Sequence, residues 1–140
     1  EIGRAQIFFE PVLQKPKEER VGIIATGALV YQSIMAARKL EEEGTAVSVL
    51  NLATIKPLDE EGILKFAKNV RAIVTVEEHQ VRGGAGSAVA EYLARTYPMP
   101  IEFVGVNDKF GQSGTPEELL EHYGMGISHI VEAVKRAIIR

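Results

Sequence analysis

The 140-residue sequence contains no cysteine, which excludes a disulfide framework, a thiol nucleophile and thiolate metal sites. No apolar run approaches the ~20 residues that a membrane-spanning helix needs. The chain has no basic start followed by an apolar stretch, so it carries no signal-peptide pattern. Positive charge is not in excess: 16 Lys and Arg stand against 19 Asp and Glu, for a net charge of −3 with the two signs interspersed. A nucleic-acid footprint would need a basic face. The three histidines lack the H-E-x-x-H spacing of a zinc site. There is no G-x-G-x-x-G fingerprint, no Gly-Lys-Ser/Thr phosphate loop and no G-x-S-x-G nucleophile elbow. These absences leave a cytoplasmic protein with no nucleic-acid and no membrane partner as the expectation. The chain begins at Glu1 and not at Met, and is read as a segment of a longer polypeptide.

What is present is a core. A hydrophobic content of 46% with 25% charged residues fits one globular domain over residues 1–140. Strand and helix signals alternate. Residues 5–9 read as a short first strand, 15–20 as a charged turn, and 21–26 as a near-continuous apolar run suited to a strand buried on both faces. A helix to about residue 43 follows, with Val30, Ile34, Ala37 and Leu40 at inward spacing. Residues 47–52 read as a strand. Pro57 disfavours helix at Lys56, and Asp59 caps a helix to about residue 68, with Ile63, Leu64 and Ala67 inward. A strand over 72–76, a helix over 86–96 and a strand over 101–106 come next. Thr115, Pro116 and Glu118 spell a capped helix start, and a separate last helix is expected from Ser128 to about Ile139. Helix-length crossovers imply a parallel sheet covered on both faces. The first strand has too short a connection for that, so it is expected at an edge, where it can pair antiparallel. The fold class is α/β: a three-layer αβα sandwich with a mostly parallel sheet of about five strands and one antiparallel edge strand.

Three stretches carry candidate chemistry. Glu77, Glu78 and His79 close the 72–76 strand and could form an acid–base group, although adjacent residues on an extended chain point to opposite faces. The bland alternative is a solvated or interface-forming strand end. Arg82, Gly83, Gly84, Gly86 and Ser87 lead into a helix start, where backbone N–H groups could hold an anion. The alternative there is a tight turn with close helix–sheet packing. Residues 107–115 form a polar loop containing Phe110, an awkward residue to leave exposed. Ligands and partners gather at strand carboxyl ends in such sheets, and Thr26-Gly27-Ala28 would join the same rim.

An ordered set of residues resembles the C-terminal domain of transketolase over nearly the whole chain: Ile24-Ala25-Thr26-Gly27; Asn51 on to Lys56-Pro57-Leu58-Asp59; Val76-Glu77-Glu78-His79 with Gly83-Gly84-Ala85-Gly86-Ser87; and Asp108-Lys109-Phe110-Gly111-Gln112-Ser113-Gly114 before Glu118-Leu119-Leu120 and Tyr123-Gly124. Deoxyxylulose-phosphate synthase is similar around Glu77-Glu78 and the glycine loop, and the β subunit of 2-oxoacid dehydrogenase E1 is a more distant match. The resemblance implies a role in transferring a two-carbon ketol unit between sugar phosphates, with thiamine diphosphate and Mg2+ bound by N-terminal and middle domains, in a homodimer or heterotetramer. It implies no catalytic, cofactor or metal residue in this segment, which alone would be inactive. Glu77, Glu78, His79, Arg82, Gly83, Gly84, Gly86 and Ser87 carry over only as an interface or anion-binding motif. The competing reading is a regulatory module that binds an anion or nucleotide at the glycine loop.

Overall fold

The computed structural model describes residues 4–27, 29–53, 56–78, 84–106 and 115–140, with the backbone alone for 118–125. Strand β1 (Gln6–Phe9) leads through a 3-10 turn (Lys17–Glu19) to β2 (Arg20–Ala25) and helix α1 (Leu29–Glu42). Then follow β3 (Ala46–Asn51), α2 (Glu60–Ala67), β4 (Ala72–Glu78), α3 (Ala85–Thr96), β5 (Ile101–Val106) and α4 (Pro116–Ile138). The strands lie in the order β1-β3-β2-β4-β5. All pairs are parallel except β1 with β3, which is antiparallel with an irregularity between Ile7 and Phe9. The expected αβα sandwich with its antiparallel edge strand is the observed fold.

Strand alternation sends successive residues to opposite faces, and each face has its own helices. Val21, Ile23, Val47, Val49, Val74 and Val76 pack with Leu40 of α1 and Ile130 and Val134 of α4. Ile24, Leu50 and Ile73 pack with Ile63 and Phe66 of α2 and Val89 and Leu93 of α3. Double-sided burial is why β2 reads as a near-continuous apolar run, and why β3 and β4 are apolar apart from Ser48 and Thr75 until their last residues. Fully burying each such side chain contributes about 1.5–3 kcal/mol.

Two expectations are corrected. Residues 116–138 form one helix of 23 residues, not two. Its middle lies close against α1, where Gly126 abuts the Gln32 side chain, and that packing carries the helix through. Strand β4 continues through Glu77 and Glu78, because parallel pairing with β5 extends to Glu78↔Val106. In α2, Ile63 and Ala67 are buried as expected, Leu64 packs half-buried against the same core, and Phe66 joins them. In α1, Val30, Ala37 and Leu40 are buried and Ile34 packs half-buried against the core as expected, while Leu29, Gln32, Ser33 and Ala36 join the buried set.

The free side of β5 begins with a charged clasp. Burial alone would raise the Glu102 carboxyl, but hydrogen bonds from Arg140 at 2.6 Å and Arg136 at 3.2 Å hold it below the usual range. Arg71 Nη2 donates to the backbone oxygen of Arg140, so the last residue is tied from two sides.

Asp59 caps α2 as expected, accepting from the Gly62 N–H at 3.1 Å. It also accepts from the Ala5 N–H at 2.8 Å, which fastens the start of the chain to α2. The Ala5 bond is the main cause that lowers its pKa; burial opposes, and Gly62 and Arg4 add to the lowering. A folded-state pKa below the unfolded value stabilises above the unfolded pKa of about 3.9 and ceases to do so as pH falls through the folded value. Asp59→Ala should therefore cost about 1 kcal/mol at pH 7. Urea unfolding at pH 7 and pH 3 should show the gap between wild type and variant shrinking at the lower pH. A gap independent of pH would refute the assignment.

Candidate interface at the strand ends

Strands β2, β4 and β5 run parallel, with Ala25 beside Val76 and Val76 beside Val104, so their carboxyl ends share one edge of the sheet. Residues 79–83 and 107–114, which include His79, Arg82, Gly83 and Phe110, lie outside the described residues. Of the predicted motif, Glu77, Glu78, Gly84, Gly86 and Ser87 are described.

Alternation along β4 separates the two glutamates. Glu78 is half-buried beyond Val76, whose side packs toward α1 and α4. Glu77 points to the α3 side and is only 6% exposed. Its Oε2 accepts from the Gly86 N–H at 2.8 Å. Gly84 at the head of α3 has no side chain with which to cap it, so β4 supplies the cap through space. A helix start offers free N–H groups and partial positive charge, which is what allows a carboxylate to be buried there. Glu77 is thus neither a solvated strand end nor paired with Glu78. Ser87, the next residue along α3, faces solvent. An anion arriving at this helix start would meet the Glu77 carboxylate already on the Gly86 N–H.

The fit at Gly86 is close. A Cβ placed there would stand 2.6 Å from Glu77 Oε2 and 3.1 Å from both Thr75 Oγ1 and Phe103 Cδ1. Glu77 Oε1 and Thr75 Oγ1 are buried and without a hydrogen-bond partner among the described residues. Phe103 is 56% exposed beside them, and Tyr31, in the first turn of α1 where the chain leaves β2, is 64% exposed. On the opposite face, below the end of β5, Gln32 is buried with Oε1 unpartnered among the described residues, against Gly126 and Val106. Sequence reasoning missed Thr75, Phe103 and Gln32. The signal available for the first was its even spacing from Glu77 on one face of the strand. Among the described residues no three His, Asp or Glu side chains converge to hold a metal, and no helix is long and apolar enough to cross a membrane.

The family described as "Transketolase, C-terminal domain" matches residues 11–130. The "6-deoxy-6-sulfo-D-fructose transketolase subunit SqwH" of Clostridium sp. (strain MSTE9) is 43% identical over 113 residues, covering 81% of this chain and 35% of that protein. The "Putative transketolase C-terminal section" of Methanocaldococcus jannaschii is 38% identical over 135 residues, covering 96% of this chain and 40% of that protein. The solved structure of a "Split gene transketolase, inactive beta4 tetramer" superposes with a TM-score of 0.76 at 44% identity, over 99% of this chain and 43% of that one. The chain spans less than half the length of each of these three proteins.

Proposed function

The chain belongs to the transketolase C-terminal domain family, and on that premise we propose that it is the packing domain of an enzyme that moves a two-carbon ketol unit from a ketose phosphate to an aldose phosphate. The family match over residues 11–130 carries the reading. In the complete enzyme, thiamine diphosphate with Mg2+ supplies the carbanion chemistry. The glycine-containing helix start does not fit that group's diphosphate, since its Gly86 N–H is held by the buried Glu77 carboxylate. The cofactor is accordingly assigned to N-terminal and middle domains, in the same chain or a separate subunit, within a homodimer or heterotetramer in the cytoplasm.

This chain's own contribution is a rigid rim. Glu77 locks the head of α3 onto β4 and β5, and Phe103 and Tyr31 stand exposed near that rim as apolar contacts for the other domains. Glu78, His79, Arg82, Gly83, Gly84, Gly86 and Ser87 then serve that interface. The split-gene neighbour, named as an inactive beta4 tetramer, supports a division of labour in which such a subunit needs its partner.

The test is ketol transfer between sugar phosphates, with thiamine diphosphate and Mg2+ added, by the intact parent assembly, by this chain alone and by the parent lacking this segment. Turnover is expected from the intact assembly, none from this chain, and a weakened assembly from the deletion. Turnover by these 140 residues alone would overturn the proposal.

A further inference from the structure

A cleft of about 740 Å3 opens near the edge of the sheet opposite to Glu77, between the β1 segment and α2. Its lining combines apolar Leu50 and Phe66 with Glu10, Arg20, Ser48 and Lys65. That volume is typical of small-molecule sites, which join an apolar body to a few converging polar groups.

The polar part has an unusual balance. Glu10 Oε1 accepts from Arg20 Nη2 at 3.2 Å and from the Ser48 hydroxyl at 2.8 Å. The same Nη2 also reaches Ser48 Oγ at 3.1 Å. Ser48 is only 3% exposed. The Glu10 side chain is 54% exposed and the Arg20 side chain 22%. A single carboxylate oxygen therefore takes two donors of a fixed platform, while Arg20 Nε is buried with no acceptor among the described residues. A guanidinium edge matches two oxygens of a carboxylate or phosphate at once, and Glu10 uses only half of that capacity.

We propose that this cleft binds a small molecule bearing a carboxylate or phosphate, and that Glu10 Oε1 occupies the place of its oxyanion until the ligand displaces it. Glu10 follows a short edge strand and is largely solvated, so it can swing outward. The ligand oxygens then receive Arg20 Nη2 and Nε and the Ser48 hydroxyl. Lys65 on the facing wall adds a second positive charge, and Leu50 and Phe66 line the space for the ligand's body. Because Glu10 competes for the same donors, removing its charge strengthens binding, whereas removing a donor weakens it.

The experiment titrates this chain with inorganic phosphate and, separately, with succinate, by calorimetry and by thermal shift against KCl at matched ionic strength. Glu10→Gln should tighten binding of at least one probe about tenfold. Lys65→Gln and Ser48→Ala should weaken it by a similar factor, and Arg20→Gln should abolish it. Lys65 is exposed, so its variant keeps the test valid should Arg20→Gln fold poorly. Preference for one probe tells phosphate from carboxylate. Binding by neither wild type nor Glu10→Gln, or binding that Glu10→Gln leaves unchanged, would overturn the proposal. Sugar phosphates and thiamine diphosphate are absent from the assay, so its outcome is separate from that of the ketol-transfer reading.

Discussion

Gly86→Val should lower the unfolding free energy of this chain by about 3 kcal/mol, the joint scale of overpacking and of an unpaired buried polar group. The new side chain has nowhere to go. Its Cβ alone stands within 3.1 Å of groups from two strands, Thr75 and Glu77 on β4 and Phe103 on β5. Phe103 is half-exposed and can yield toward solvent. Glu77 cannot: it is buried, and moving it breaks its 2.8 Å bond from the Gly86 N–H and leaves a carboxylate inside the protein without that partner. The better helix propensity of valine over glycine recovers only about 0.3 kcal/mol. Urea unfolding followed by circular dichroism reads the loss directly. Gly86→Ala should fall between wild type and Gly86→Val. Glu77→Gln should lose less than Glu77→Ala, since the amide oxygen can still accept from Gly86. A Gly86→Val variant within about 0.5 kcal/mol of wild type would mean that α3 does not sit on Glu77.

The same contact explains what the sequence could and could not disclose. Alternation on β4 made it legible that adjacent residues at the strand end diverge, and the structure places Glu77 and Glu78 accordingly. What alternation cannot say is which helix covers the Glu77 face, because that depends on where the chain returns after residues 79–83. The resulting cap joins residues nine apart through tertiary geometry, with no capping side chain at Gly84 to announce it. Asp59 is the opposite case. Its local bond to Gly62 follows from the residue order Asp-Glu-Glu-Gly, while its second bond, to Ala5, spans 54 positions and has no local signature.

Strand identity was similarly legible where burial is two-sided. β2, β3 and β4 have long apolar runs because both faces meet helices, and the edge place of β1 followed from a connection too short for a covering helix. The Glu10–Arg20–Ser48 platform was invisible, since it draws one residue each from the chain after β1, the head of β2 and the middle of β3. The family resemblance, by contrast, survives such blindness: it rests on ordered motifs, and the match over residues 11–130 bears it out.

The single long α4 is where local signals and tertiary packing conflict most, and Gly126→Leu tests which one rules. Two glycines, Gly124 and Gly126, interrupt the periodic pattern, and each costs a helix about 1 kcal/mol relative to alanine. The helix nevertheless runs from Pro116 to Ile138. At Gly126 a Cβ would collide with Gln32 Oε1 and stand 3.2 Å from Val106 Cγ1. Gln32 is 1% exposed, so its amide has no solvent to retreat into. The glycine is therefore what permits α4 to lie on α1 and β5. Gly126→Leu should cost about 2–3 kcal/mol, because steric exclusion outweighs the gain in propensity. Gly126→Ala sets the two terms against each other, and Gln32→Ala should relieve it. The double variant Gln32→Ala with Gly126→Ala should be more stable than the sum of the single changes by about 1 kcal/mol, as expected of residues in direct contact. Strict additivity, or a Gly126→Leu variant as stable as wild type, would show that helix α4 does not rest on Gln32, and that the glycines mark a break in the helix instead of the point of closest approach.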